Sequence, residues 1–249
     1  MKSLLRYPGG KSKAVKILYE LIPKGTKKVI SPFLGGGSFE LFLCENGIEV
    51  EAYDKFYELF CFWDCLLNNK KELYEKVKEI FPMTKEKFYD FKKLDFKKMK
   101  EIEVAAIFYA LNRSSFSGST LSGGISPGCP RFNEYSIERI NKFEEKNIKV
   151  KLMDFQEVIK ENNNENLLFL DPPYYIEYNL YGKKGDMHKN FEHEILRGLL
   201  SKETKFILCY NDCEYIRNLY KEFDIKEASW SYGMNKSKKS KEIIISNLI

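Results

Sequence analysis

The chain has 249 residues, with 41 Lys and Arg against 36 Asp and Glu, a formal net charge of +5. Hydrophobic residues make up 43% and charged residues 31%, and 19 Phe with 16 Tyr supply enough apolar area for one large core, which excludes a mainly disordered chain. No apolar run approaches the roughly 20 residues that a membrane span requires, and Met1–Lys13 carries Pro-Gly-Gly in place of a signal-type apolar stretch, so a cytoplasmic protein is expected.

In chain order, the first β-rich run is Lys28-Val-Ile-Ser31. It leads into Ser31-Pro-Phe-Leu-Gly-Gly-Gly-Ser38 and a helical pattern from Ser38 to Asn46. Gly35, Gly36 and Gly37 admit positive φ and put no Cβ between the backbone and a ligand, and Ser38 is placed to cap the helix. A second strand, Glu49–Tyr53, is followed by Asp54, where a carboxylate can accept both hydroxyls of a ribose. The alternative is a plain tight turn with a strand-ending acid. From Phe56 to Asn147 the rhythm changes. Helices are expected at Glu58–Leu67, Lys71–Ile80, Lys85–Phe91 and Val104–Leu111, followed by a Ser/Gly-rich stretch from Ser114 to Gly128. That is too long for a crossover loop, so 56–147 reads as a mostly helical inserted subdomain, with 1–55 and 148–249 forming the main domain.

Strands then alternate with helices again: Ile148–Leu152, Leu167–Leu170, helix Phe191–Leu200, Lys205–Cys209, helix Glu214–Glu222 and Glu242–Ser246. Several of these strands are continuously apolar, as strands covered on both faces are. The alternation predicts a doubly wound α/β sheet.

Leu170 is followed directly by Asp171-Pro-Pro-Tyr174. The two prolines lack N–H groups and have fixed φ, so the Pro172 carbonyl stands clear of any ladder. Carboxylate and carbonyl together suit an exocyclic amine with two N–H donors, and Tyr174 offers a face on which a base stacks. Cys61 with Cys65 and Cys209 with Cys213 lie four apart, but neither pair has a companion, so reduced thiols are expected and no metal. His188 and His193, five apart, match no zinc-helix spacing; His193 reads as a helix-face residue and Phe191 as a lining residue of a base pocket. Lysines from Lys70 to Lys100, Lys92 and Lys93 among them, interleave with Phe and Tyr, and Lys236-Ser-Lys-Lys-Ser-Lys241 is a second basic cluster. These are either phosphate contacts or a solvated helix face over packed aromatics.

Taken together, the glycine loop, Asp54 and the Asp-Pro-Pro-Tyr run resemble the Dam-type, D12-class (α-group) DNA adenine-N6 methyltransferases, in that family's order along nearly the whole chain. The resemblance implies a Rossmann-like S-adenosylmethionine-dependent methyltransferase sheet with the insert 56–147 as target-recognition subdomain. It implies that Tyr7 and Lys11, in Arg6-Tyr-Pro-Gly-Gly-Lys11, contact the methyl donor together with Phe33, Gly35, Gly36, Gly37 and Ser38. Asp54 then holds the ribose, Asp154 and Phe155 meet the donor's adenine, and Asp171, Pro172, Pro173 and Tyr174 are catalytic. Enzymes of this type that read GATC carry Asn-Gly-Leu-x-Arg after the helix end. Here Leu111-Asn-Arg-Ser-Ser-Phe-Ser-Gly118 departs from that pattern, so GATC specificity does not carry over.

The implied chemistry is direct methyl transfer to an adenine flipped out of duplex DNA. Asn112, Arg113, Phe116 and Arg131, in a segment without core periodicity, are the expected base-reading and wedging residues, with Lys92 and Lys93 on phosphates. The same ledge would serve cytosine N4, an RNA base or a protein amide, but Asp171 in first position favours adenine. A catalytically silent DNA-binding relative would not need the intact ledge and glycine loop. Double-stranded DNA is thus the expected partner, with a cognate restriction endonuclease as a second one and a monomer as the expected state.

Overall fold

The computed structural model describes residues 2–7, 9–162, 164–175, 191–228 and 241–248. His188, Pro8 and positions 236–240 of the second basic cluster lie outside them.

Seven strands form one sheet in the order β3-β2-β1-β4-β5-β7-β6. They are β1 (Lys28–Ser31), β2 (Glu49–Asp54), β3 (Ile148–Leu152), β4 (Leu167–Leu170), β5 (Phe206–Asn211), β6 (Asp224–Ala228) and β7 (Glu242–Ser246). The first five in spatial order are parallel, while β7 runs antiparallel to both β5 and β6. The chain winds outward from β1 in one direction and from β4 in the other. Their junction is therefore a topological switch point, the crevice where open α/β sheets bind ligands.

Alternation along the strands builds two cores. Val29, Val50, Ala52, Leu167, Phe169, Ile207 and Ile244 pack on one face. Ile30, Tyr53, Leu168, Leu170, Leu208, Tyr210 and Ile245 pack on the other. Each continuously apolar strand thus serves both layers. The α/β architecture expected from the alternation is the one observed.

The helices are α1 (Val15–Tyr19), α2 (Ser38–Glu45), α3 (Tyr57–Asn68), α4 (Lys70–Ile80), α5 (Lys85–Lys93), α6 (Glu101–Ser114), α7 (Glu134–Asn141), α8 (Phe155–Asn162), α9 (His193–Leu199) and α10 (Glu214–Leu219). Within 56–147, α6 is the buried axis, from Val104 to Asn112, and α3 and α4 pack on it. The Phe62 and Tyr109 rings stack at 5.3 Å. Because α3 also packs against β2 and β3, these helices share one core with a face of the sheet.

Four elements were not apparent in the sequence pattern. β6 is an edge strand that is largely exposed, so it has no apolar run. α7 and α8 are short amphipathic helices, started by side-chain caps at Asn133 and Asp154, and α1 is a single turn and a half. One local expectation is corrected. Ser38 is the first residue of α2 and forms no capping bond; the cap position belongs to Gly37, at φ 65.

Candidate functional site

The switch-point crevice is a cavity of ≈ 340 Å³. Its walls include Tyr7, Lys11, Phe33, Gly35–Ser38, Asp54 and Phe155 from one set of expected residues and Asp171, Pro172, Pro173 and Tyr174 from the other. Both sets thus face one space. Asp154 is the exception. It lies outside the cavity lining, where it accepts from the Gln156 amide at 2.9 Å at the start of α8 and pairs with Lys55 at 3.6 Å.

The glycines are required chiefly by the protein's own packing. A Cβ on Gly36 would stand 2.8 Å from Tyr7 Cβ, and one on Gly37 would stand 2.7 Å from the Trp63 ring. Trp63 Nε1, on α3, also donates to the Gly35 carbonyl at 3.0 Å. The loop is therefore clamped between the N-terminal segment and the insert's first helix. Phe33, from the same loop, forms an aromatic corner with Phe155 and Phe191, with centroids 5.2–5.7 Å apart. Phe191, expected to line a base pocket, lines the cavity at this corner, beside Phe33 and Phe155.

Asp54, at the end of β2, takes hydrogen bonds from the Gly35 amide and the Phe56 amide, both at 3.0 Å. Burial pushes its carboxyl up to about 6 despite these bonds. A half-buried carboxylate aligned with a glycine loop and flanked by an aromatic corner fits a nucleoside: ribose hydroxyls on the acid, the base against the rings. These are the groups in this structure that would hold an adenosine-bearing donor.

At the other end stands a charged cluster. Lys11 is 3% exposed, and its Nζ donates to Asp171 Oδ1 at 2.6 Å, the separation of a charge-assisted pair. Burial works against the ammonium, but Asp171 and its other anionic neighbours outweigh it and hold Lys11 protonated above its usual range. Burial likewise lifts Asp171, with Lys11 pulling the other way. Sequence reasoning missed two further acids here. Glu40 on α2 is buried and accepts from Ser31 Oγ at 2.7 Å; desolvation raises its carboxyl to about 7. Glu242, first residue of β7, accepts from the Tyr174 phenol at 2.5 Å. Glu242 is flanked by no motif, and Glu40, two residues past the glycine loop, stands in a helix's first turn, where an acid is commonplace.

His193, expected as a helix-face residue, is the first residue of α9 and is buried, its Nδ1 2.8 Å from the Tyr210 hydroxyl.

The expected DNA-facing residues divide. Phe116 is 61% exposed, and Arg131 and Lys93 are exposed too. Asn112 is corrected: it is fully buried. Its Oδ1 accepts from the Arg6 amide at 2.9 Å, and its Nδ2 donates to Arg6 O at 2.8 Å and to Thr120 Oγ1 at 2.9 Å. With no polar atom left for a base edge, it ties the loop to the N-terminal segment. Arg113 is half-buried and donates to the carbonyls of Arg131 and Leu4. Lys92 is half-buried, its Nζ on the Gly123 carbonyl at 2.6 Å. Arg6 and Arg139 are given no role by sequence reasoning, yet both lie beside Arg113. Arg6 and Arg113 are held below their ordinary pKa by burial first and then by neighbouring guanidiniums, Arg131 near both and Arg139 near Arg113. Lone arginines far apart in sequence gave no pattern to read.

Known proteins give an independent view. The family model described as D12 class N6 adenine-specific DNA methyltransferase matches residues 7–234. The chain is 25% identical over 230 residues to the Type II methyltransferase M.CviBI of Paramecium bursaria Chlorella virus NC1A, covering 88% of this chain and 86% of that one. It is 24% identical to M1.LlaDCHI of Lactococcus lactis subsp. cremoris, over 99% of this chain and 95% of that one. To M.MjaIII of Methanocaldococcus jannaschii it is 26% identical, over 91% and 90%.

Proposed function

The chain belongs to the D12 class N6 adenine-specific DNA methyltransferase family, and from that premise we propose that it is of the Dam-type, α-group kind, with Asp171-Pro-Pro-Tyr174 as its catalytic ledge. It transfers a methyl group from S-adenosylmethionine to adenine N6 in DNA, in a site-specific manner. The observation that carries the residue assignment is that the ledge, the glycine loop and Asp54 line one cavity.

When bound, the donor supplies an electrophilic sulfonium methyl. Tyr7, Lys11, Phe33, Gly35–Ser38, Asp54 and Phe155 are the residues assigned to hold it. An adenine amine is a poor nucleophile, because its lone pair is delocalised into the ring. Asp171 and the Pro172 carbonyl accept its two N–H bonds and draw the nitrogen toward tetrahedral geometry, which localises the lone pair. Tyr174 stacks on the base and Pro173 keeps the ledge rigid. Beyond this the site works by positioning, worth several kcal/mol in well-oriented systems. The adenine must leave the duplex to reach the ledge.

The insert 56–147 is assigned to target recognition, set on the main domain of 1–55 and 148–249. Exposed Phe116 is the wedge, Arg131 with neighbouring Arg6 forms the basic rim, and Lys93 meets phosphates. The Type II names of the relatives support a cognate restriction endonuclease as partner. A monomer acting in the cytoplasm completes the reading. Among the described residues, no helix is long and apolar enough to cross a membrane.

The test is direct. Purified protein, labelled donor and unmethylated duplex DNA should yield N6-methyladenine on hydrolysis to nucleosides. N4-methylcytosine, or label on protein, would overturn the reading.

A further inference from the structure

β7 runs antiparallel to β5, so its first residue meets the carboxyl-terminal edge of the sheet where Asp171 stands. That residue is Glu242, opposite Asn211 in the ladder and 2% exposed. A carboxylate so buried is costly unless it is partnered. Its Oε2 takes the Tyr174 phenol at 2.5 Å, within the short range of O–H bonds to ionised carboxylates. The same oxygen lies 4.0 Å from Lys11 Nζ. Lys11 in turn is 2.6 Å from Asp171 and stands 5.0 Å over the Tyr174 ring. One ammonium therefore sits between two carboxylates, and one of those carboxylates also holds the ring beside it. Glu242 itself is absent from the cavity lining and lies beyond the residues 7–234 that match the family.

We propose that Glu242 is a positioning residue for the methyl transfer. It fixes the plane of Tyr174 for the incoming base and shares the Lys11 ammonium, so that Asp171 is not drawn wholly onto the lysine. This rests on the assignment of Asp171 and Tyr174 as the adenine-binding pair. Pro172 and Pro173 supply no N–H to tie down the stretch that leads into Tyr174; the bond at the far end of the ring ties it to β7. A single lysine at charge-assisted distance weakens Asp171 as an acceptor for the amine. A second carboxylate divides that pull, and it leaves the cluster net negative where positive charge gathers on N6 as the methyl arrives.

The experiment uses full-length protein and a duplex that the wild type methylates, with 2-aminopurine at the target adenine for a second, turnover-free reading. Glu242→Gln should slow single-turnover transfer by roughly 10–100-fold, the scale of a misplaced reacting group. Donor affinity by calorimetry should stay within about twofold, and 2-aminopurine should be less quenched at equal occupancy, because its stacking ring is loose. Tyr174→Phe should lose rate in the same sense, and the double variant should lose no more than the worse single one, since both changes break one linked unit. Losses that multiply, or a Glu242→Gln protein with wild-type rate and quenching, overturn the proposal. Should Glu242→Gln fail to fold, Tyr174→Phe carries the test: unchanged rate and quenching overturn it equally. A wild type that leaves adenine N6 unmodified overturns the reading of the site and this inference with it. An active wild type with an equally active Glu242→Gln overturns this inference alone.

Discussion

The carboxyl edge of the sheet and the loop after α6 treat charge and aromatics in opposite ways. At the edge, Lys11, Glu40 and Glu242 are nearly without solvent contact, each held by a named partner. In the loop, Phe116 is 61% exposed and Arg131 faces water, while buried residues, among them Asn112, Ser115, Thr120, Leu121 and Cys129, anchor its base. Gly118, at φ 75, lets that base press on Arg6, whose carbonyl a Cβ would strike. The difference teaches where each task can be built. Groups that stabilise a transition state act best when preorganised away from water, whereas groups that sample DNA must project into solvent from an anchored base. Changes at the edge should therefore alter rate or fold stability without altering site preference, and changes at the loop should do the reverse.

The strongest way to break this contrast is Asp171→Ala. Single-turnover transfer should fall by on the order of 10³-fold, as for loss of a preorganised group at developing charge, while calorimetry finds the donor still bound. Wild-type turnover would refute the ledge.

Glu40 measures what the buried edge costs the fold. Burial raises its carboxyl to about 7, against the opposing Ser31 bond. A carboxyl whose folded pKa lies above its unfolded one stabilises the fold while protonated, and that contribution is lost as pH rises through about 7. Glu40→Gln stays neutral at every pH. It should be more stable than wild type above pH 7, by on the order of 3 kcal/mol at most, and equal to it near pH 4. Urea midpoints at pH 8 and pH 4 decide it; a difference that grows toward acid has the wrong sign.

Asp54→Ala should weaken the donor complex by about 1.5–3 kcal/mol, the range for a hydrogen bond to a charged group, with site preference intact. Because Asp54 is raised to about 6, wild-type donor affinity should also fall as pH drops through that value. Asp54→Asn should show a flat profile.

The smallest effects sharpen the loop's side of the contrast. Phe116→Ala and Arg131→Ala should reduce discrimination between cognate and altered duplexes by about 1–3 kcal/mol per lost base contact, with little change in the single-turnover rate at saturating DNA. Lys93→Ala, at an exposed lysine paired within its helix to Asp90 at 2.9 Å, should weaken all duplexes alike and shallow the salt dependence. If the loop variants weaken every duplex equally, recognition lies elsewhere in 56–147.

The strands, the glycine loop and the Asp-Pro-Pro-Tyr ledge were legible because each is a local pattern: a continuously apolar run, a cluster of glycines, a pair of prolines. Their convergence followed too, since alternating strands and helices wind into a sheet whose carboxyl edge gathers the loops. Tertiary structure alone decided the rest. β6 could not be read because an exposed edge strand has no apolar run, and Glu242 could not be read because its role depends on β7 running antiparallel. Asn112 reads as a DNA contact because a polar residue in a polar segment looks exposed, yet the fold buries it against Arg6 and Thr120. Asp154, expected beside the donor's adenine, caps α8 and stands outside the cavity lining, a placement that no local pattern shows. Burial and strand direction are properties of what packs across the chain, and a polar side chain carries no sign of either until its neighbours are in place.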